Sequence, residues 1–261
     1  MKIAVIGGTG VNKSSFIENP EIIKVKTPYG EIEVTKGMRK GKELFFLQRH
    51  SKGHTLIPSK VNYKGNIYAL KMLNADYTIA TAAVGAINNC HTGDFVLIDQ
   101  FIDFTKNRSC TYFDEENKGV VHVDMSEPYC PTIRKMLRKS FEKLKINYVP
   151  KGTYVCTEGP RFETPAEIQM YKLLGGDVVG MTNVPEVILA RESALCYAAV
   201  CLVTNYAAGI SKKTLTHKEV NEEMAGMGEK LNAVLSDFID NASLNRLCSC
   251  KDALKELNSL K

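Results

Sequence analysis

Two stretches combine residue types that could hold an anion. The first, AVIGGTGVNKSS at residues 4–15, carries an apolar run into a glycine-rich turn followed by a lysine and two serines. A dinucleotide fingerprint would need a third glycine where this chain has Lys13. The segment beyond, VNKSSFIENPEII, is also too polar and proline-broken for the helix that motif opens. An ATP-type loop fits better, since Gly7, Lys13 and Ser14 are in register, Asn12 replaces the second glycine, and Asp99 imitates the magnesium-holding aspartate. That loop requires a helix after its lysine, and Glu18, Asn19 and Pro20 leave room for barely one turn. What remains is general: a strand delivers GGTG to a sheet edge, where backbone N–H groups and the Thr9 hydroxyl can face an anion. A plain strand-terminating turn is the simpler reading of this stretch alone. The second stretch, QRHSKGH, ends a strand in Arg49 and His50, with His54 following. A guanidinium beside an imidazole offers bidentate and single donors to a phosphate, although an isolated Arg-His pair also occurs in solvated turns.

The elements that must position these groups read as one α/β domain over residues 1–261. KIAVIG is a buried strand by its continuous apolar run. IIKVK, EIEVTKG and KELFFLQRH form a meander across TPYG and RKGK. NYKGNIYALKMLN is helical, YTIATAAV and FVLIDQFID are strands, and residues 105–119 form a polar loop. Residues 130–146 read as a helix, with GTYVCTEG and YAAVCLVTNY as later strands. Helix starts are marked three times by the spacing of a capping box: Thr164 with Pro165 and Glu167, Asn183 with Glu186, and Thr216 with Glu219. A strand-rich first part followed by alternating elements implies a mixed sheet with helices on both faces, whose ligands gather at the carboxyl ends of strands.

Composition excludes several function classes. With 44% hydrophobic and 24% charged residues among 261, the chain is of ordinary globular type. No apolar run approaches the roughly 18 residues of a membrane span. MKIAVIGG reaches glycine after four apolar residues, too few for a secretory core, so a cytoplasmic protein opening on a strand is expected. The net charge of +5 is spread along the chain and densest in RKMLRKSFEKLK, where Glu142 interrupts it; this is a solvated helix face, not a nucleic-acid stripe. Eight cysteines include no Cys-x-x-Cys pair and no motif with zinc spacing, so no structural metal site is expected. Cys156, Cys196 and Cys201 fall in apolar runs as small hydrophobes. Cys248 and Cys250, in CSC, are read as free thiols, with a disulfide the alternative.

The full phrase RHSKGHTLIPSKVNY resembles the methylthioadenosine phosphorylase and purine nucleoside phosphorylase family. The resemblance recurs in IGGTG, TAAVGAI, GDFVLIDQFIDFT, VHVDMSEPYCP, TEGPRFETPAEIQM and VVGMTNVPEVILARE, and so spans nearly the whole chain. It implies an α/β subunit with three layers and a mixed, partly barrel-like sheet, assembled as a homotrimer or a dimer of trimers. Family members cleave the N-glycosidic bond of purine nucleosides with inorganic phosphate as co-substrate, without a metal or organic cofactor. By that resemblance Thr9, Arg49, His50, the Ala82–Ala83 backbone and Thr182 would bind phosphate. Phe162 would stack near the base, Met181 would lie under the ribose, and His122 would reach the sugar's 5′ end in a neighbouring subunit. Donors preorganised around the purine and a phosphate held beneath the sugar suit a reaction that develops positive charge on the ribose and negative charge on the departing base.

The chain departs from the methylthioadenosine pattern where the base would sit. That subfamily places two aspartates around a tyrosine in the late strand, where this chain reads TNYAAG with Asn205 and Ala207; Glu163 follows Phe162 in place of a serine. Phe-Glu-Thr with a distant Thr-Asn is the pattern of 6-oxopurine nucleoside phosphorylases. A 6-oxopurine has an N1–H that the Glu163 carboxylate can accept, and N7 and O6 acceptors that the Asn205 amide can serve. Inosine and guanosine are therefore the expected substrates, giving base and ribose 1-phosphate. His217, directly after the Thr216 cap, is a candidate for the 5′ pocket, although a histidine at a helix start is equally a surface residue. S-methyl-5′-thioinosine and S-methyl-5′-thioadenosine stay open as alternatives. Outside the class stand a nucleoside hydrolase, which would need clustered aspartates, and a purine-binding protein without catalysis.

Overall fold

Alternation within the first strand decides the layering. In β1 (Lys2–Gly7), Ile3 and Val5 enter one apolar cluster and Ala4 and Ile6 another, and all four are buried. A strand apolar on both faces belongs inside a sheet covered on both sides. The computed structural model describes residues 1–8, 16–50, 56–114, 121–211 and 217–255, with 217–225 described as helix backbone only.

β2 (Glu18–Thr27), β3 (Gly30–Arg39) and β4 (Lys42–Gln48) form the expected antiparallel meander, and β4 then lies parallel to β1. After α1 (Tyr63–Met72), β5 (Tyr77–Ala86) runs parallel to the other edge of β1. The stretch expected as one strand from Phe95 divides into β6 (Phe95–Leu97) and β7 (Gln100–Asp103). The break comes at Asp99, which exchanges hydrogen bonds with Gly152: its N–H donates to the Gly152 carbonyl at 3.1 Å and its Oδ1 accepts from the Gly152 N–H at 3.0 Å. The chain thereby changes partners. Then come α2 (Pro131–Leu144), β8 (Tyr148–Val149), β9 (Thr153–Cys156) and α3 (Pro165–Leu173). β10 (Val178–Gly180), α4 (Asn183–Glu192), β11 (Tyr197–Tyr206) and α5 (His217–Asn241) complete the order. Among the described residues the strands make one 11-stranded mixed sheet.

The helices divide between its faces. Ile67 and Leu70 of α1 and Val184, Val187 and Leu189 of α4 pack in one cluster. Ile133, Leu137 and Phe141 of α2 and Leu231, Val234, Leu235 and Phe238 of α5 pack in the other. The basic segment around Arg138 and Lys139 lies on α2, whose apolar face is buried at Ile133, Leu137 and Phe141.

The sheet forks at β5, and the fork makes the site. β11 runs along one edge of β5 from Thr78 to Ala86. The opposite edge is shared: β1 pairs as far as Ala80, and antiparallel β10 takes over at Gly85. Between them Thr81–Val84 have no strand partner on that edge among the described residues, and the strands diverge around a cavity.

Candidate active site at the fork in the sheet

The cavity at the fork has a volume of about 530 Å³, in the range that holds a nucleoside-sized ligand. Its lining brings together Arg49, His50, Ala82, Ala83, Phe162, Glu163, Met181, Thr182, Asn205 and Ala207, ten of the thirteen residues singled out above. Thr9, together with Lys13, Ser14, His54 and Thr216, lies outside the described residues, as do the side chains of His217 and Glu219. His122 is described, exposed, and does not line this chain's cavity.

One end of the cavity is cationic. Arg49 follows the carboxyl end of β4, and its N–H donates to the Gly7 carbonyl at 3.2 Å, extending the β1–β4 ladder. The Arg49 side chain is 1% exposed. Nε and Nη2 donate to the two oxygens of Glu186 at 2.5 and 2.9 Å, and Nη1 donates to the Thr81 carbonyl at 2.8 Å. Burial alone would lower the guanidinium's pKa, but the Glu186 carboxylate overrides that and raises it, so the charge is permanent. Three of five N–H donors are thus used to hold the fork, and two, one on each Nη, have no partner among the described residues. Gly8 is what lets the end of β1 approach so closely. A Cβ there would stand 2.9 Å from Arg49 Nη1 and 3.0 Å from the Thr81 carbonyl oxygen. Gly8 therefore lets the guanidinium pack against β5.

Glu186 requires a correction. Asn183-x-x-Glu186 has the spacing of a capping box, but the N-cap of α4 is Thr182, and no side-chain cap is made. Asn183 and Glu186 are both fully buried. Asn183 accepts from the Tyr129 hydroxyl and donates to the Tyr197 oxygen, each at 2.7 Å, and the Tyr197 hydroxyl donates to Glu186 at 2.8 Å. A buried chain of five polar side chains thus runs from Tyr129 to Arg49, each with a hydrogen-bond partner. The local pattern is that of a cap, yet burial and the cation on β4 decide the outcome. By contrast, Thr164 and Glu167 do form the reciprocal capping box, joined by Arg161, which pairs with both Glu167 oxygens.

With its hydroxyl not engaged in capping, Thr182 stands at the N-terminus of α4 and lines the cavity. The positive helix end, the Thr182 side chain, the unpaired edge of β5 and Arg49 converge on one region. His50 completes it: its Nδ1 lies 3.0 Å from the Leu56 carbonyl, which takes Nδ1–H as donor and fixes the ring.

The opposite end is neutral and acidic. Pairing of β11 with β5 slips between Val203 and Asn205, leaving Thr204 as an extra residue in a bulge. The bulge turns Thr204 and Asn205 into the cavity. Asn205 Oδ1 accepts from the Thr204 hydroxyl at 2.9 Å, and Nδ2 donates one hydrogen to the Tyr206 carbonyl at 2.9 Å. The other amide hydrogen has no partner among the described residues. Glu163 is half-buried, and its Oε1 accepts from the Thr157 hydroxyl at 2.6 Å. Phe162 stands at the mouth, 43% exposed.

Arg108, in a segment read only as polar loop, holds the cavity floor. Its Nη2 donates to the carbonyls of Thr157 at 3.1 Å and Glu158 at 2.6 Å, and its Nη1 to the Met181 carbonyl. The same guanidinium sits over the Tyr63 ring. No local pattern marks it, because its partners come from two distant loops.

Comparison with known proteins gives the chain its family. The Phosphorylase superfamily model matches residues 2–240. The chain is 54% identical to the "Probable 6-oxopurine nucleoside phosphorylase" of Dictyoglomus turgidum, over 98% of this chain and 97% of that protein. It is 52% identical to the "6-oxopurine nucleoside phosphorylase" of Pyrococcus furiosus, over 97% and 98%. Among solved structures, methylthioadenosine phosphorylase from Schistosoma mansoni in complex with adenine superposes with a TM-score of 0.90 at 30% identity, covering 98% of this chain and 96% of that one. The chain belongs to the Phosphorylase superfamily.

Proposed function

We propose that this protein is a 6-oxopurine nucleoside phosphorylase, converting inosine- and guanosine-type nucleosides and inorganic phosphate into free base and ribose 1-phosphate. The observation that carries the reading is the pairing of ends in one cavity. Arg49 and the N-terminus of α4 lie at one end, and Glu163 and Asn205 at the other. Phosphate takes the Arg49, His50 and Thr182 end, with Thr9 and the Ala82–Ala83 backbone completing its shell. The purine sits between Phe162 and the Glu163–Asn205 pair, with Ala207 behind it and Met181 beneath the ribose.

A phosphate oxygen then attacks C1′ as the bond to purine N9 breaks, and the bonding pair leaves with the base. The remaining Asn205 amide hydrogen is shared between N7 and O6 as negative charge grows there, while Glu163 accepts from N1–H. The proton that phosphate gives up ends on the purine. No side-chain nucleophile is involved, and the chemistry calls for no organic cofactor or catalytic metal. Holding both substrates makes the attack effectively intramolecular. His122 of a neighbouring copy would close the 5′ end, which would make a homotrimer, or a dimer of trimers, the working assembly. His217 is retained as the second 5′ candidate. A cytoplasmic protein is the matching location.

Assay of inosine, guanosine, S-methyl-5′-thioinosine and S-methyl-5′-thioadenosine side by side, with and without phosphate, tests the reading. Base release from the 6-oxopurines should depend on phosphate and exceed that from the 6-amino substrate at least about 100-fold, because a mispaired buried group stays unsatisfied. Comparable turnover of adenosine-type substrates overturns it. Asn205→Asp should cut kcat/KM for inosine by about 100-fold and shrink that preference. The apolar wall of Leu56, Ile57 and Pro58 favours a second reading of the sugar, in which a 5′-methylthio group is accepted beside the hydroxyl. The thioinosine arm of the same assay decides it.

A further inference from the structure

Away from the cavity, four cysteines from three segments converge. Cys130 stands at the N-cap of α2, Cys196 immediately precedes β11, and Cys248 and Cys250 come from the segment after α5. Their four sulfur atoms all lie within 4.8 Å of one another, and the Cys196 and Cys248 sulfurs are 3.6 Å apart. None is in a disulfide. A tetrahedral ion with thiolates at about 2.3 Å separates its sulfurs by about 3.8 Å, so the cluster has the dimensions of a closed four-thiolate shell.

The scaffold is rigid on one side and adaptable on the other. Cys130 N–H donates to the Tyr197 carbonyl at 2.7 Å, and the Cys196 carbonyl accepts from Thr78 N–H at 2.8 Å, so two ligands are pinned to the central strands. The other two arrive on a tail fastened at Arg246 to Asp76 and at Leu247 to Thr132. Cys130, Cys196 and Cys250 are buried, while Cys248 is half-buried and leaves an entry path. Four thiolates around a divalent ion carry two net negative charges. The N-terminus of α2 at Cys130 opposes them, while Arg246, two residues before Cys248, is paired with Asp76. The Arg246 Nε is buried with no hydrogen-bond partner among the described residues, and its guanidinium lies over the Tyr77 ring at 5.4 Å.

We infer that Cys130, Cys196, Cys248 and Cys250 form a structural site for a thiophilic divalent ion, zinc, which staples the C-terminal segment to the starts of α2 and β11. Binding exchanges thiol protons for the ion, with no change of oxidation state. The Cys-x-Cys pair is tighter than the usual zinc spacing, and the remaining ligands lie 52 and 118 residues before Cys248; that separation hides the set from any search for paired motifs.

The test uses the full chain, purified under reducing conditions without a metal-affinity tag. Elemental analysis should find about one zinc per chain, and Co2+ exchange should give the intense visible bands of a tetrahedral thiolate complex. A strong chelator should lower the thermal midpoint of the wild type by about 5 °C or more, and leave C248S/C250S unchanged from its own lower midpoint. Titration of the metal-free wild type with Zn2+ keeps the inference falsifiable should the double variant fail to fold. Four free thiols that take up neither Zn2+ nor Co2+ overturn it, and so do disulfides among these four in reducing-purified protein.

Discussion

Glu186 shows how much a single side chain's surroundings alter its meaning. Read along the chain it is a helix-capping carboxylate; in the fold it is the buried partner that orients Arg49. Glu186→Gln leaves the guanidinium as an uncompensated buried charge, which costs about 3 kcal/mol or more. The thermal midpoint should fall by about 6–12 °C in calorimetry, and added phosphate should recover more of it than it adds to the wild type. An equal phosphate effect in both proteins would show that the anion does not meet Arg49. At this scale the sequence is legible where chemistry is strung along one segment. Arg49-His50 at a strand end and Glu163 beside Phe162 could be picked out from type and position. Glu186 and Arg108 could not, because their roles are fixed by partners 137 and 73 residues away respectively. Their local patterns are compatible with an ordinary cap and an ordinary loop.

Elements divide the work of the cavity, and variants in different elements should separate kinetically. Thr164→Ala removes half of the capping box of α3, costs about 1 kcal/mol, and loosens the entry to the helix just past Phe162 and Glu163. It should raise KM for the nucleoside with KM for phosphate little changed. Gly8→Ala pushes on Arg49 from the end of β1 and should do the reverse. Steady-state kinetics with each substrate varied in turn distinguishes the two. Far from the cavity, the last turn of α5 is clasped to β3 by Arg39, whose Nε donates to Asp240 at 2.6 Å, while the Lys42 ammonium donates to the Ile239 and Asp240 carbonyls. The hydrogen bond from Arg39 holds the Asp240 carboxyl at about 2, below its ordinary 3.8. A depressed carboxylate stabilises the fold above about pH 4 and loses that contribution as pH falls towards 2. Asp240→Asn should therefore lower stability by about 1 kcal/mol at pH 7 after solvent screening, and converge with the wild type in acid denaturation near pH 2. Element boundaries were legible wherever period and turn chemistry agreed, as in the β2–β4 meander. They were missed at Asp99, where a change of strand partner breaks an apolar run that looks continuous.

For the whole molecule, the proposed sharing of His122 makes assembly part of catalysis. Light scattering should return a mass of three chains or a multiple of three, and His122→Ala should weaken nucleoside binding by about tenfold without altering that mass. Within one chain, the fork at β5 acts as a ruler. The proposed phosphate and purine contacts hang from the two ends of the same short run of backbone, from Ala80, where β1 stops, to Gly85, where β10 starts and Asn205 pairs. Five steps of strand at about 3.3 Å each fix that span, and no side-chain exchange alters it. Recognition of the base can thus be rewritten at Glu163, Asn205 and Ala207 while the anion stays at the same distance from the reacting carbon. One inserted residue between Thr81 and Val84 would do what those exchanges cannot, by putting the two halves of the reaction out of step.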